Sequence, residues 1–258
     1  MEYDVKYVCF LDILGFSNYV SNDDSVEKVS DLFSFVNKYC NLFNTSPNLK
    51  TKASFFSDSI VLSSDELGYL MIAIVLAESY LQSNLGLLFR GGMCKGKVYS
   101  AEGVTFGPAV VTTYNLEKKA QYSRIIIDES IIKEDIDCLE FYRDIDGNTS
   151  FNPYALLIHN GTKYGGDGPS YPDGDPVENV LSIFREERAK ILASIEKHKN
   201  TTVIDKYLWR IRPFNYTCRE IARDSSTIEY LLNKGYIPDE SFRARILDTQ
   251  IQNSDIII

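Results

Sequence analysis

The sequence predicts an α+β protein: a ferredoxin-like β-α-β-β-α-β core with extra strands, followed by a C-terminal helical layer. Three observations carry this. Short apolar runs alternate with segments of helical apolar spacing through residues 1–158. The stretch Ala53–Ser63 is rich in Phe, Ile and Val but has Asp58-Ser59 at its centre, which reads as a hairpin turn between two strands. Residues 160–176 (NGTKYGGDGPSYPDGDP) are turn-forming, and helix-forming composition dominates after them. The expected organisation is a domain over 1–158, a linker over 159–176 and a helical extension over 177–258. The extension is expected to pack on the first domain or on a partner subunit.

The elements follow in order. Lys6–Leu11 is a buried strand that runs into a turn at Asp12-Ile13-Leu14-Gly15-Phe16, and Ser17 then points to a helix start. Ser25–Phe43 places Val26, Val29, Leu32, Phe33, Val36, Tyr39, Cys40 and Phe43 on one helical face. Pro47-Asn48 breaks the chain before the hairpin. Glu66–Ser83 is a second helix, and Leu87–Tyr99 a strand with glycines at 91, 92 and 96. Gly107-Pro108 opens a helix over Ala109–Ala120. Arg124–Asp128 is a strand, Ser130–Glu134 a short helix, and Leu139–Asp144 and Ala155–His159 are later strands. Val177–Lys199, Ile204–Ile211 and Cys218–Lys234 are helical.

Composition bounds the function. The chain has 258 residues, 44% of them hydrophobic, so a sizeable core needs no disulfide staple. The net charge is −9 and no dense basic block occurs, which argues against nucleic acid as the main partner. The longest strongly apolar run, Tyr69–Ala77, is too short to span a bilayer. Met1-Glu2-Tyr3-Asp4 is acidic with no signal-peptide apolar core, so a cytoplasmic location is expected. Cys9, Cys40, Cys94, Cys138 and Cys218 are odd in number, widely spaced and without a CxxC pair, and read as buried thiols. His159 and His198 are the only histidines, which excludes a multi-histidine metal site. A catalytic metal would need carboxylate and backbone oxygen ligands, the chemistry of magnesium, manganese or calcium.

Two carboxylates stand out. Asp12 ends the first strand and Asp58 sits at the hairpin tip, and in β-α-β-β order these strands are neighbours. Both acids then reach one edge of the sheet, as a magnesium site on a phosphate substrate requires. The plainer reading is that Asp12 caps a turn or helix and that Asp58-Ser59 is only a turn. Phe10, Phe16, Phe55 and Phe56 read as core, Trp209 as a packing anchor, Glu186-Glu187-Arg188 as a solvated helix face, and both histidines as structural.

Phe10-Leu11-Asp12-Ile13-Leu14-Gly15-Phe16-Ser17 resembles the first metal motif of class III nucleotidyl cyclases, F-x-D-I-x-G-F-[ST]. Phe56-Ser57-Asp58-Ser59 falls where that family has its second metal aspartate. Leu88-Phe89-Arg90-Gly91-Gly92-Met93 with Gly96, and Phe106-Gly107-Pro108-Ala109-Val110, resemble two later family segments in the same order. The resemblance implies that Asp12 and Asp58 hold two divalent ions, Mg²⁺ or Mn²⁺, with Ile13 lending its carbonyl. It places Gly15 and Phe16 at the substrate turn and Ser54 beside the base. It implies attack of a ribose 3′-oxygen on the α-phosphate, release of pyrophosphate, and a homodimer with sites at the interface.

The departures narrow the expectation. Purine cyclases have Lys or Glu at the position of Ser54, and a second base reader at the position of Val104. Their transition-state Asn and Arg align with Val111 and Asn115. The cationic role then falls to Arg124, with Arg90, Lys118 and Lys119 as alternatives and Asn115 as a further catalytic candidate. Gly107-Pro108-Ala109, Tyr114-x-Leu116-Glu117 and Tyr122-x-Arg124-Ile125-Ile126-Ile127-Asp128 are similar to the Pycsar antiphage pyrimidine cyclases. So are Lys206-Tyr207-x-Trp209 and Phe214-Asn215, while Thr113 and Ser123 depart from that pattern. This branch implies a uridylate cyclase making cyclic UMP from UTP. A cytidylate cyclase acting on CTP is the alternative. A separate effector would be activated by the product. A degenerate cyclase-like module that only binds nucleotide or dimerises is the reading from a different class.

Overall fold

The computed structural model describes residues 2–21, 25–42, 51–101, 104–132, 139–155, 176–223 and 240–256. The chain divides into two compact units: Met1–Asp137 with Arg143–Phe151, and Cys138–Tyr142 with Asn152–Ile258.

The first unit is a mixed sheet with helices, an α+β fold. β1 (Asp4–Leu14) is its centre, rich in β-branched and aromatic residues and buried at Val8, Cys9, Leu11 and Ile13. It pairs antiparallel with β3 (Ser59–Ser64) on one side and β4 (Leu88–Ala101) on the other. β2 (Lys52–Phe56) pairs antiparallel with β3. β5 (Val104–Phe106) folds back on β4, β6 (Ile125–Ile127) runs parallel to β4, and β8 (Thr149–Phe151) pairs with β6. The order is β2-β3-β1-β4-β6-β8. β7 (Phe141–Arg143) precedes β8, joined to it by the turn in which Gly147 N–H donates to Asp144 O at 3.0 Å.

The register reveals why the ferredoxin-like expectation holds. β1 and β2 both run antiparallel to β3, so they are parallel to each other with β3 inserted between them. β3 and β4 both run antiparallel to β1, so they too are parallel, with β1 inserted. These are two interleaved split β-α-β units. The first crossover contains α1 (Phe16–Val20) and α2 (Ser25–Leu42), and the second contains α3 (Leu67–Tyr80). α3 buries Leu67, Leu70, Ala73, Ile74 and Ala77 at helical spacing, and continues into one π turn, Leu81–Leu85.

α4 (Pro108–Lys119) returns the chain from β5 to β6. It lies hard against β4 at Gly92, where an added Cβ would meet Thr113 O at 2.3 Å and Leu116 Cβ at 2.4 Å. No residue with a side chain fits that approach. Ala109, Thr113 and Glu117 are the buried residues on this face. α5 (Glu129–Ile132) follows β6, its entry held by Ser130 N–H donating to Asp128 Oδ1 at 2.9 Å.

The second unit contains α6 (Pro176–His198), α7 (Ile204–Leu208), α8 (Ile211–Arg223) and α9 (Glu240–Leu247). Phe184, Phe214 and Phe242 are fully buried in it, and Tyr154 meets Phe214 edge-on at 5.5 Å between centroids. Asn152 Nδ2 donates to Thr217 Oγ1 at 2.8 Å and to Leu139 O at 2.9 Å. Asn215 grips the final stretch: its Nδ2 donates to Ile251 O and its Oδ1 accepts from Ile251 N, each at 2.9 Å. Trp209 is buried, as a packing anchor should be.

Several expectations change. β5 and β8 are strands that apolar patterning does not show, because three residues are too few for a period. Ala155, expected to open a strand, does not. Phe56 is not core: it is 84% exposed at the hairpin tip, whereas Phe16 is buried and Phe55 packs on Phe33. Glu187 is no solvated residue either, being paired at 3.1 Å with the buried Arg210. His198 stacks on Tyr207 at 3.9 Å, consistent with a structural role. The break at Pro47-Asn48, Cys138, His159 and nearly all of the expected linker lie outside the described residues, as do the helical expectations beyond Ile132 and Arg223.

Candidate active site

The candidate site is built where β1 ends beside the β2–β3 turn. Asp12 faces Ser59 across the β1–β3 pair, so Asp58 is one residue from its cross-strand partner. The backbones are tied one step further on, where Ile13 N–H donates to Asp58 O at 2.8 Å. Ser57 leads into Asp58 with φ of 54°, the left-handed region, the only non-glycine residue so placed among those described. A tight turn thus brings both aspartates to one end of the sheet, and both are half-buried.

Gly15 caps α1 with φ of 82°, a left-handed turn that glycine adopts without steric cost. Ile13 and Phe16 are buried beside it. α1 has only five residues, so its dipole gives little of the anion attraction expected of a helix start.

Charge at Asp12 is balanced from β4. Arg90 is its cross-strand partner, and Arg90 Nε lies 3.2 Å from Asp12 Oδ2 and 2.6 Å from Glu117 Oε1 on α4. Burial pushes the Glu117 carboxyl above its usual range; Arg90 opposes the shift and Asp12 adds to it. The sequence names Glu117 only within the Tyr114-x-Leu116-Glu117 segment and gives it no role. Its helical position, two residues after Asn115 and in step with Thr113, was the available signal.

Ser54 on β2 shares a hydrogen bond of 2.7 Å with Thr105 on β5, and Thr105 Oγ1 is 3.0 Å from Ser100 Oγ. The position expected beside the base is therefore one of four linked hydroxyls, since Ser63 Oγ donates to Ser100 Oγ at 3.4 Å. Val104, next to Thr105, is exposed.

Arg124 is buried with its guanidinium on Asp144 at 3.1 Å and on Asp146. Those hydrogen bonds and charges outweigh burial and raise its pKa further. Asn115 lies on the exposed side of α4, opposite in burial to Glu117.

The donor set fits a hard cation. Among the described residues no group of three or more His, Cys, Asp or Glu gathers to hold an ion unaided. Two carboxylates and a backbone carbonyl are what magnesium uses when substrate phosphates complete its shell. Among the described residues no helix is long and apolar enough to cross a membrane.

No protein-family profile matches the chain, and no curated protein matches it in sequence. Solved structures do. The catalytic core of a rhodopsin-guanylyl cyclase with converted specificity, in complex with ATPαS, aligns at 14% identity and TM-score 0.45, covering 58% of this chain and 96% of that one. The monomeric guanylyl cyclase domain of the RhoGC fusion protein from the aquatic fungus Blastocladiella emersonii aligns at 18% and 0.45, covering 58% and 95%. An adenylate/guanylate cyclase/hydrolase from Silicibacter pomeroyi aligns at 14% and 0.40, covering 58% and 95%. The α+β class of this chain rests on its own strand order and register.

Proposed function

We propose that this chain is a nucleotidyl cyclase acting on a pyrimidine triphosphate, UTP first, to give 3′,5′-cyclic UMP and pyrophosphate. The observation that carries the reading is the Ile13 N–H to Asp58 O bond, which fastens the two aspartate-bearing segments side by side. Asp12 and Asp58 would hold Mg²⁺ or Mn²⁺, with the Ile13 carbonyl as a further ligand. The ions, when bound, activate the ribose 3′-oxygen and neutralise charge on the phosphates. The chain's own residues do the rest. The Gly15 turn and Phe16 close the floor under the triphosphate. The Ser54–Thr105 pair faces the base with hydroxyls, which both donate and accept and so suit a pyrimidine edge.

The cation for the phosphate is assigned to Arg90, because Arg124 is committed to Asp144 and Asp146. A homodimer with sites at its interface, a cytoplasmic location and a separate effector that reads the product in antiphage defence belong to the same proposal. The competing reading, an inactive module, draws on the same two facts: Arg124 is tied up, and Arg90 already engages Asp12.

Incubation with each of the four ribonucleoside triphosphates and Mn²⁺, with pyrophosphate measured and the product identified, tests the proposal. Cyclic UMP from UTP is expected. Cyclic CMP as the main product would move the base assignment to cytosine, cyclic AMP or cyclic GMP would overturn the pyrimidine reading, and no pyrophosphate from any substrate would favour the inactive module.

A further inference from the structure

We propose that Glu117 is a positioning residue that takes Arg90 away from Asp12 when a divalent cation binds, so that the cation replaces the guanidinium there; this rests on the metal reading above.

The geometry is a shared donor. Arg90 Nε carries one proton and donates it to Asp12 Oδ2 at 3.2 Å, while Glu117 Oε1, paired with the same nitrogen at 2.6 Å, is buried without a hydrogen bond. Asp12 holds the hydrogen bond and Glu117 lacks one, so the two acids compete for the same guanidinium. They are not equivalent. The Glu117 side chain is only 4% exposed, against 21% for Asp12 and 31% for Arg90. A dry carboxylate depends on its cation far more than a half-exposed one. The backbone that carries Glu117 is also held in place. At Gly92, two residues along β4 from Arg90, an added Cβ would sit 3.1 Å from Glu117 N, so the helix backbone rests directly on the strand.

The consequence is a partner exchange. An ion approaching Asp12 has to displace a guanidinium. With Glu117 present, Arg90 keeps a carboxylate partner throughout, and no buried charge is stranded. Without that carboxylate, Arg90 falls wholly on Asp12 and competes with the ion.

The test is Mn²⁺ alone titrated into the full chain, with free Mn²⁺ read by electron paramagnetic resonance and folding checked by circular dichroism. Glu117→Gln is expected to weaken Mn²⁺ binding roughly tenfold, the size of a partly exposed charge-pair change. Arg90→Met is expected to bind at least as tightly as the wild type. The double variant should recover wild-type affinity, which a merely structural role for Glu117 would not produce. Unchanged affinity in Glu117→Gln, or a double variant as weak as Glu117→Gln, overturns the proposal. Should Glu117→Gln fail to fold, weaker binding by Arg90→Met overturns it alone. If Asp58→Ala loses Mn²⁺ while Glu117→Gln does not weaken, only this inference fails. If the wild type binds none, or Asp58→Ala binds as well as the wild type, the metal reading fails with it.

Discussion

The amide of Ile13 hydrogen-bonds the carbonyl of Asp58 at 2.8 Å, so the residue after one aspartate is fastened to the other aspartate itself. The bond spans the end of β1 and a turn whose first residue, Ser57, is left-handed. Position 57 therefore tolerates only residues that accept this backbone. Ser57→Val is expected to cost about 2 kcal/mol, and Ser57→Gly to cost little or nothing. Urea unfolding of both variants checks this; equal losses would show that the turn has another conformation in solution.

Gly92 seats α4 on β4, and with it Glu117 beside Arg90. Gly92→Ala places a methyl group 2.3 Å from Thr113 O. The expected loss is about 3 kcal/mol. A melting temperature equal to that of the wild type would contradict the close approach.

Arg124 holds β6 to the turn after β7 through Asp144 and Asp146. Replacing it by Met removes the cation beside the buried Asp144, and a loss of about 3–5 kcal/mol is expected. A catalytic Arg124 would instead lose turnover at unchanged stability. The pH dependence separates the two further. The hydrogen bond from Arg124 holds the Asp146 carboxyl well below its usual range. An acid whose pKa is lowered by folding stabilises the protein above its unfolded pKa, near 3.9, and that contribution is lost as pH falls toward the folded value. Acid unfolding of Arg124→Met should lack this part of the slope.

Much of the fold was legible because its signals are long. The helical spacing in Ser25–Leu42 and the apolar run of β1 are each repeated enough to define a period. The hairpin at Asp58 was legible from turn chemistry alone. The partners of charged residues were not. Arg124 pairs with acids twenty and twenty-two positions away, across a turn whose closure no local pattern encodes. Arg90 meets Asp12 through strand register, which depends on the whole sheet. The exposed Phe56 shows the same limit from the other side: a strand residue at a tip faces solvent whatever its side chain.

Cys9, Cys40, Cys94 and Cys218 are buried free thiols. Burial pushes Cys94 up to about 12 and Cys40 and Cys218 up to about 11, and raises Cys9 well above its usual value. Thiolate is the reactive form, so all four should resist iodoacetamide in the native protein at pH 8 and react after denaturation. Peptide mass spectrometry reads each site, and rapid native labelling of any of the four would contradict its burial.

Asp58→Ala, assayed with UTP and Mn²⁺ for pyrophosphate release beside a circular-dichroism melt, is expected to keep the wild-type fold and lose all cyclic-nucleotide formation. Turnover persisting in a folded Asp58→Ala protein would contradict the shared-cation site.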